Sequence, residues 1–420
     1  MARKLTQTDI HALINAVVKE ATGQETTLQQ VDLHDFASVG ETLLASGTEN
    51  VLNALSLVLG RTFMAVRPYD AKLALINSLN TDAYSHRLRK ISFYSKDAQA
   101  SGDWNTQLFT NLADGFTNGQ NEAGTPPVAQ STKSMWEQNQ AMPVEFNFGG
   151  SSVWEDSITI YEDQLKQAFR SADDFGSFVS GIMTEKGNDI ESQKEAFNRM
   201  TLLNHMAGIY DLNQTGSVVN LTAAYNAEFN GSFTTAQLLT TYLKEFMEFF
   251  TAKIKIDSRS LTHRSALRHW SVPKTVGADT YHILRHTPRD RQRLFLYNPI
   301  MMKAQSYVFP EIFNTEYLQI GNYEGVDFWQ NEASGAAIDI IPAIPNTSNP
   351  TAQTTGAEVK LDMVVGLLFD EDAMMVDYQL ERSATTPLEA RKNYRNMWWS
   401  YSKNAINDFT ENAILYYMAD

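Results

Sequence analysis

The chain has 420 residues, of which 43% are hydrophobic, and a net charge of −15 at pH 7. A chain of this length can bury a sizeable core and can form two or three domains. It contains no cysteine, which excludes disulfides, thiolate metal sites and cysteine nucleophiles but leaves its redox compartment open. The acidic balance argues against wholesale wrapping of nucleic acid and favours solubility before any assembly.

The beginning of the sequence shows no targeting or membrane signal. No apolar core follows the charges of Arg3 and Lys4, and the most apolar stretch, residues 51–66, contains Asn53 and Arg61. A signal peptide needs an apolar core after its first charges, and a transmembrane helix needs an uninterrupted apolar run. We therefore expect a chain that is cytosolic when it is made.

Three short helices are predicted in the first 70 residues. Apolar residues recur at helical spacing over residues 10–18, a second helix can start near Asp35, and a third covers residues 48–63 before Pro68 ends it. These helices form either a small cap on the core or an arm that packs on a neighbouring subunit.

Residues 95–143 are rich in Gly, Asn, Gln, Ser and Thr and show no clear periodicity. Loops longer than about 12–15 residues are uncommon inside compact domains. Strand-like runs flank this stretch, at residues 86–94 before it and at residues 144–148 and 154–161 after it. A long two-stranded hairpin that leaves the domain fits better than a disordered linker. It would need a partner surface, because an isolated hairpin is marginally stable in water.

Residues 171–208 predict one long amphipathic helix, around which the rest of the chain is organised. Ser171 is expected to cap its start, and Gly208 is expected to end it in a left-handed conformation. Lys186 and Gln193 interrupt its apolar stripe, but we expect one continuous helix of roughly 55 Å. The stripe comprises Phe175, Val179, Ile182, Met183, Ile190, Phe197 and Met200.

The part of the chain that follows has α+β character. Residues 234–251 predict another helix, and the turns that follow are rich in Pro and Gly. The strand-like runs and longer segments are residues 294–297, 337–341, 364–368, 377–381 and the aromatic-rich 394–417.

The sequence contains no phosphate-binding loop, dinucleotide-binding turn, zinc-protease helix or nucleophile elbow. His282 and His286 could share a metal ion, but residues 281–284 are more typical of a strand and no third ligand is placed. Residues 370–372, Asp-Glu-Asp, could hold a divalent cation, although an acidic turn between two strands is more common. We predict no catalytic residue, no metal site and no cofactor.

Residues 252–293, here called the basic segment, are the clearest electrostatic feature. Ten basic residues stand against three acidic ones, a net charge of +7 that leaves −22 for the rest of the chain. Such a segment can bind phosphate backbones or acidic patches on an identical neighbour, and contact between subunits is the preferred interpretation. Its basic residues are Lys253, Lys255, Arg259, Arg264, Arg268, Lys274, Arg285, Arg289, Arg291 and Arg293.

Four aromatic residues near the end of the chain could stack on nucleic-acid bases, although aromatics in a terminal strand usually belong to the core. They are Tyr394, Trp398, Trp399 and Tyr401.

Four strings of residues are distinctive in this sequence. They are Val51-Leu52-Asn53-Ala54 through Arg67-Pro68-Tyr69, Asp163-Gln164-Leu165 through Phe175-Gly176-Ser177-Phe178, Arg285-His286-Thr287-Pro288 with Leu296-Tyr297, and Trp398-Trp399 through Asn407-Asp408-Phe409-Thr410-Glu411-Asn412. These strings resemble the major capsid proteins of tailed bacteriophages, which have the Hong Kong 97-like (Johnson) fold. The likeness spans nearly the whole chain and extends to the order of the predicted elements.

This resemblance implies a division of the chain into five parts. They are an N-terminal helical arm (1–70), a peripheral domain with the long spine helix (71–94 and 144–211), an extended loop (95–143), an axial domain (212–372) and a return to the peripheral domain (373–420).

The resemblance also implies a function. The protein would self-assemble through hexameric and pentameric capsomers into an icosahedral shell around double-stranded DNA, which it would hold without sequence specificity. Assembly would take place in the bacterial cytoplasm, with scaffolding, portal and decoration proteins as partners and no membrane. The first 60 residues are too short for the cleavable scaffolding segment of some relatives. Lys96 and Lys133 are the candidate donors for the covalent crosslink that other relatives form.

Two other classes of function remain open from the residues alone. A DNA-binding protein would use the basic segment, and an α+β enzyme of unknown class would need convergent polar residues in a pocket.

Overall fold

A computed structural model describes residues 73–79, 87–95, 142–149, 152–161, 172–276, 279–307, 323–346, 352–387, 389 and 391–420. Three predictions lie outside the described part of the chain. They are the helices in the first 70 residues, the cap at Ser171 and the loop over residues 96–141. The described helices are α1 (Ala172–Leu212), α2 (Leu221–Phe229), α3 (Thr235–Leu238), α4 (Leu243–Leu261) and α5 (Asn298–Tyr307), with a short 3-10 helix at Arg289–Arg291.

The described strands are β1 (Asn77–Leu79), β2 (Arg87–Phe93), β3 (Pro143–Gly149), β4 (Ser152–Tyr161), β5 (Val218–Asn220), β6 (Lys274–Val276), β7 (Asp279–Tyr281), β8 (Gln292–Tyr297), β9 (Tyr323–Val326), β10 (Ile338–Ile340), β11 (Ala343–Pro345), β12 (Gln353–Thr355), β13 (Val359–Leu361), β14 (Val364–Asp370), β15 (Met374–Thr385), β16 (Tyr394–Asn407) and β17 (Ala413–Tyr417). The strand-like runs predicted at residues 294–297, 337–341, 364–368 and 377–381 coincide with β8, β10, β14 and β15.

Helix α1 is the predicted spine helix, and it is one continuous helix of 41 residues. At about 1.5 Å per residue it is roughly 61 Å long. The predicted end at Gly208 is wrong, because Gly208 lies inside the helix with the ring of Phe409 packed against it. The helix ends at Leu212. Asn213 then takes the left-handed conformation, with φ of 39°, and its N–H bonds to the carbonyl of Ile209 at 3.0 Å.

Two sheets contain most of the longer strands. The four-stranded sheet has the order β1-β15-β16-β4, and the five-stranded sheet has the order β5-β17-β14-β8-β9. Strand β14 is buried along its whole length, and its side chains alternate between two hydrophobic cores. Leu367 and its partners on the adjacent strands belong to the core that includes α1, whereas Leu368 and Ile414 belong to the core that includes α4.

The single helix predicted over residues 234–251 is wrong, because two helices occupy this part. Helix α3 is short and begins with a capping box between Thr234 and Gln237. The Thr240 hydroxyl donates to the carbonyl of Ala236 at 2.7 Å, a local bond that competes with helix continuation. Helix α4 then runs ten residues beyond Thr251, because its buried positions continue to Leu261.

Strands β2 and β3 form an antiparallel two-stranded ribbon, with Arg87 opposite Gly149 and Phe93 opposite Pro143. The pairing extends to a hydrogen bond from the Tyr94 N–H to the Met142 carbonyl at 3.1 Å. The strands predicted on either side of residues 95–143 are therefore confirmed, and they pair with each other as the two sides of a hairpin do.

Candidate functional site

The turn formed by residues 408–412, between β16 and β17, connects the ribbon to the body of the subunit. The Lys90 ammonium on β2 contacts the Asp408 carboxylate, Glu411 Oε1 at 2.5 Å and Thr410 Oγ1 at 3.1 Å. Arg285 reaches the same turn, with its guanidinium 3.3 Å from Glu411 and 2.6 Å from Ser92 Oγ on the ribbon. Two cations therefore fasten the ribbon to this turn.

A line of buried hydrogen bonds leads from the 408–412 turn to the acidic turn at residues 370–372. His269 Nδ1 lies 3.2 Å from Asn412 Oδ1, and Asn412 Nδ2 donates to Thr287 Oγ1 at 3.1 Å. The Thr287 hydroxyl donates to Asp370 Oδ2 at 2.7 Å. Burial raises the pKa of Asp370 and lowers that of His269, because it disfavours both charged forms.

Phe409 joins the same turn to the spine helix. Its ring stacks on the imidazole of His205 with the centroids 5.0 Å apart. His205 is fully buried, and within the described part of the chain neither of its ring nitrogens has a hydrogen-bond partner. Burial lowers the pKa of His205 to about 4, opposed in part by the negative charge of Asp408.

The basic segment is not a uniformly exposed basic face, which corrects the expectation from its charge. Lys253 pairs with Asp257 at 3.1 Å, and Arg285 pairs with Glu411. Arg291 and Arg293 both bind the carboxylate of Glu371, at 2.6 and 2.5 Å. The two pairs with Glu371 form because β8 lies directly beside β14, with Gln292 opposite Asp370. Glu371 is 80 and 78 residues away from these arginines in the sequence, so the sequence pattern does not indicate the pairs.

Two exposed basic residues of the segment lie where α4 ends, while Lys274 and Arg289 are exposed as well. Arg259 lies in the last turn of the helix, and His263 and Arg264 follow it. All three side chains are exposed. The loop that carries Arg285 returns to this point, since the Thr287 N–H bonds to the carbonyl of Leu261 at 2.8 Å.

The two patterns considered for metal binding have other partners. Residues 370–372 form a turn between β14 and β15, as predicted, and Asp370 accepts a hydrogen bond from the Asp372 N–H at 3.0 Å. Strand β7 ends at Tyr281, so the strand expected over residues 281–284 is wrong. His282 Nδ1 lies 3.1 Å from Ser271 Oγ, and His286 is exposed. Among the residues that the structure describes, no three His, Asp or Glu side chains gather as a metal site.

The aromatic residues of β16 divide between the core and the surface. Trp399 is 1% exposed and belongs to the core, whereas Trp398 is 39% exposed. Tyr394 and Tyr401 are partly buried. Lys96 and Lys133, the candidate crosslink donors, lie outside the described residues.

No pattern in the sequence indicates the role of Lys90, which is one of two adjacent basic residues on a strand. In the sequence, residues 408–412 stand out only as part of a string that resembles capsid proteins. Their run of Asp, Thr, Glu and Asn between two apolar strands is the signal that could have indicated a turn with buried polar contacts.

A family model for the Phi29-like phage major capsid protein matches residues 131–417, which is more than half of the chain. The chain belongs to this family. It is a phage major capsid protein that forms the capsid shell, and its place is therefore the capsid of the virion. Its role is structural, and the α+β fold expected from the resemblance is confirmed.

Solved structures from bacteriophages are similar to the chain in fold at low sequence identity. A capsid structure of Staphylococcus phage Andhra has 12% identity, with 83% of this chain and 84% of that chain covered and a TM-score of 0.49. A structure of the head fibre and inner core protein of native bacteriophage P68 has 11% identity, with 84% and 89% covered and a TM-score of 0.49.

No curated protein matches the chain. Neither alternative function, the DNA-binding protein or the enzyme, has support among these comparisons. In the described part of the chain, no helix is both long and apolar enough to cross a bilayer.

Proposed function

We propose that this capsid protein assembles without catalysis, through hexameric and pentameric capsomers, into an icosahedral shell around the double-stranded DNA of a tailed bacteriophage. The family match over residues 131–417 is the observation that carries this proposal. Scaffolding, portal and decoration proteins are its expected partners, assembly takes place in the host cytoplasm, and no metal or cofactor takes part.

The ribbon supports a role for residues 95–143 as the extended loop. Its inner face is fixed to the subunit by Lys90 and by the buried Phe146. Its outer face exposes Ile91 by 52% and Phe93 by 57%. In the described part of the chain, the domain that carries the ribbon leaves this apolar face uncovered. A loop that continues from the ribbon can therefore bury its apolar residues on a neighbouring subunit. The five-part division of the chain given by the resemblance belongs to the same proposal.

The basic segment lies at a contact between subunits rather than on the DNA. Four of its cations are already neutralised inside the subunit, and the rest of the chain carries −22 and repels phosphate. Arg259 and Arg264 form a small exposed patch at the end of α4, and Lys274 and Arg289 are exposed as well.

Electron microscopy and size-exclusion chromatography of the purified chain test the proposal. Large regular particles are expected. A chain that stays monomeric, under conditions in which related capsid proteins assemble, would argue against self-assembly. Duplex binding by the free subunit with a steep inverse dependence on salt would instead favour a DNA-binding role for the basic segment.

A further inference from the structure

The outer face of α4 carries charges of opposite sign at its two ends. At about 100° per residue, Glu245, Glu248, Ala252, Ile256 and Arg259 fall within an arc of roughly 80°. All five are exposed, and the opposite side of the helix is buried in the core. The acidic end is Glu245 with Glu248. The basic end is Arg259 with the following Arg264.

Exposed apolar side chains accompany both ends of this face. Phe229 and Tyr242 are 53% and 37% exposed near the start of α4, where the Phe229 ring lies 6.2 Å from that of Phe249. Ile256, 63% exposed, lies between the two ends, and Leu267, 45% exposed, follows the basic end. The helix dipole accounts for acids at the start and bases at the end of a helix. It does not account for large apolar side chains in water beside them, an arrangement typical of protein interfaces.

We propose that the acidic end of α4 in one subunit contacts the basic end of α4 in the next copy of the chain. The inference rests on the proposed assembly and identifies one of its contacts. The face is complementary to itself, because each copy presents both signs about 21 Å apart along the helix. Such a head-to-tail contact closes into a ring when the rotation fits. Nucleic acid is the poorer occupant, since Glu245 and Glu248 repel phosphate.

Charge reversal tests the contact. The acid-reversed variant carries Glu245→Arg and Glu248→Arg, the base-reversed variant carries Arg259→Glu and Arg264→Glu, and the swapped variant carries all four changes. Each reversed variant alone should assemble at least about tenfold less shell, because like charges then meet at the contact. Light scattering measures the amount of shell. The swapped variant should regain assembly, because opposite charges then meet again at every contact. Glu332 is exposed too. Glu332→Arg is the control for a charge reversal that lies outside this face of α4.

Introduced cysteines give a second readout, since the chain has none of its own. Positions 248 and 259 are about 16 Å apart along α4, too far for a disulfide within one chain. Glu248→Cys with Arg259→Cys should therefore give a ladder of disulfide-linked subunits on a non-reducing gel of oxidised shells.

The outcomes separate this contact from the proposed assembly. Wild-type protein that forms no particle contradicts the assembly itself. Normal shells from both reversed variants contradict the contact alone, as does a swapped variant that stays unassembled although its thermal unfolding matches wild type. Loss of DNA binding in the base-reversed variant with normal shells would assign the basic end to the genome.

Discussion

Lys90 and Arg89 are adjacent on β2, and their side chains lie on opposite faces of the ribbon. Arg89 pairs with Glu145 at 2.5 Å, where the two side chains are 63% and 39% exposed. Lys90 instead contacts Asp408, which is 1% exposed, and the mostly buried Glu411. An exposed ion pair contributes about 0–1 kcal/mol, whereas a buried carboxylate that loses its cation costs several. Lys90 therefore stabilises the fold more than Arg89 does, although both side chains carry one positive charge.

We expect Lys90→Met to lower the free energy of unfolding by roughly 2–4 kcal/mol, because the buried Asp408 carboxylate loses its cation and Glu411 keeps Arg285 alone of the two cations at this turn. Arg89→Met is the matched control and should cost less than about 1 kcal/mol. Urea unfolding of the isolated subunit measures both values. Equal losses in the two variants would mean that the contact of Lys90 with the 408–412 turn does not stabilise the fold.

His205 makes stability depend on pH. Its pKa is lowered to about 4 in the folded state and is about 6.5 when unfolded. Between these values the unfolded chain binds a proton that the folded chain does not. The free energy of unfolding is therefore highest above about pH 6.5. Protonation of His205 in the unfolded chain lowers it as the pH falls, by roughly 3 kcal/mol at pH 4. Arg268, His269 and Glu411 line the same cavity as His205.

Replacing His205 with Gln should reduce the difference between the free energies of unfolding at pH 7 and pH 4.5. The exposed His286 offers the control, because His286→Gln removes an imidazole that is not buried. Denaturant titrations at several pH values check the result. An unchanged pH dependence in His205→Gln would show that other groups produce it.

The two residues that interrupt the apolar stripe of α1 are contacts with the four-stranded sheet. Lys186 Nζ lies 3.0 Å from Asp156 on β4, and Lys403 Nζ on β16 donates to Gln193 Oε1 at 3.1 Å. The C-terminal half of the helix packs through apolar residues instead, among them Leu202 and Met206. Lys186 and Gln193 therefore add polar contacts with the sheet to the apolar packing of the spine helix.

Two glycines of α1 should respond in opposite ways to alanine. A Cβ at Gly208 would collide with the Phe409 ring, whereas a Cβ at Gly181 would meet no atom within 4 Å. Gly181→Ala should stabilise the subunit by about 0.5–1 kcal/mol through helix propensity. Gly208→Ala should destabilise it by roughly 1–3 kcal/mol through overpacking. Thermal unfolding of both variants decides, and stabilisation by Gly208→Ala would contradict the packing described.

At the scale of the whole molecule, local patterns predicted the elements better than their partners. The continuity of α1 and the pairing of β2 with β3 follow from periodicity and from flanking composition. The partners of Lys186, Lys90 and Arg293 could not be predicted, because they come from strands that are distant in sequence. The net charge of the basic segment can be counted from the sequence, but the fold decides which of its cations remain exposed.

Deleting residues 98–142 should leave a folded subunit that no longer assembles. The ribbon is fixed to the subunit through β2 and β3, and the predicted loop contributes little to its own domain. Thermal unfolding of the monomer and light scattering during assembly are the two measurements. A deletion that lowers both equally would place the loop in the core of its own subunit.

The order of the five-stranded sheet has a consequence for synthesis on the ribosome. Strand β17 lies between β5 and β14, and it supplies Leu415 to one core and Ile414 to the other. A nascent chain that has not reached residue 413 can therefore complete neither core. Pairings between such distant segments form slowly. The subunit thus acquires its final surfaces only after translation has passed this strand.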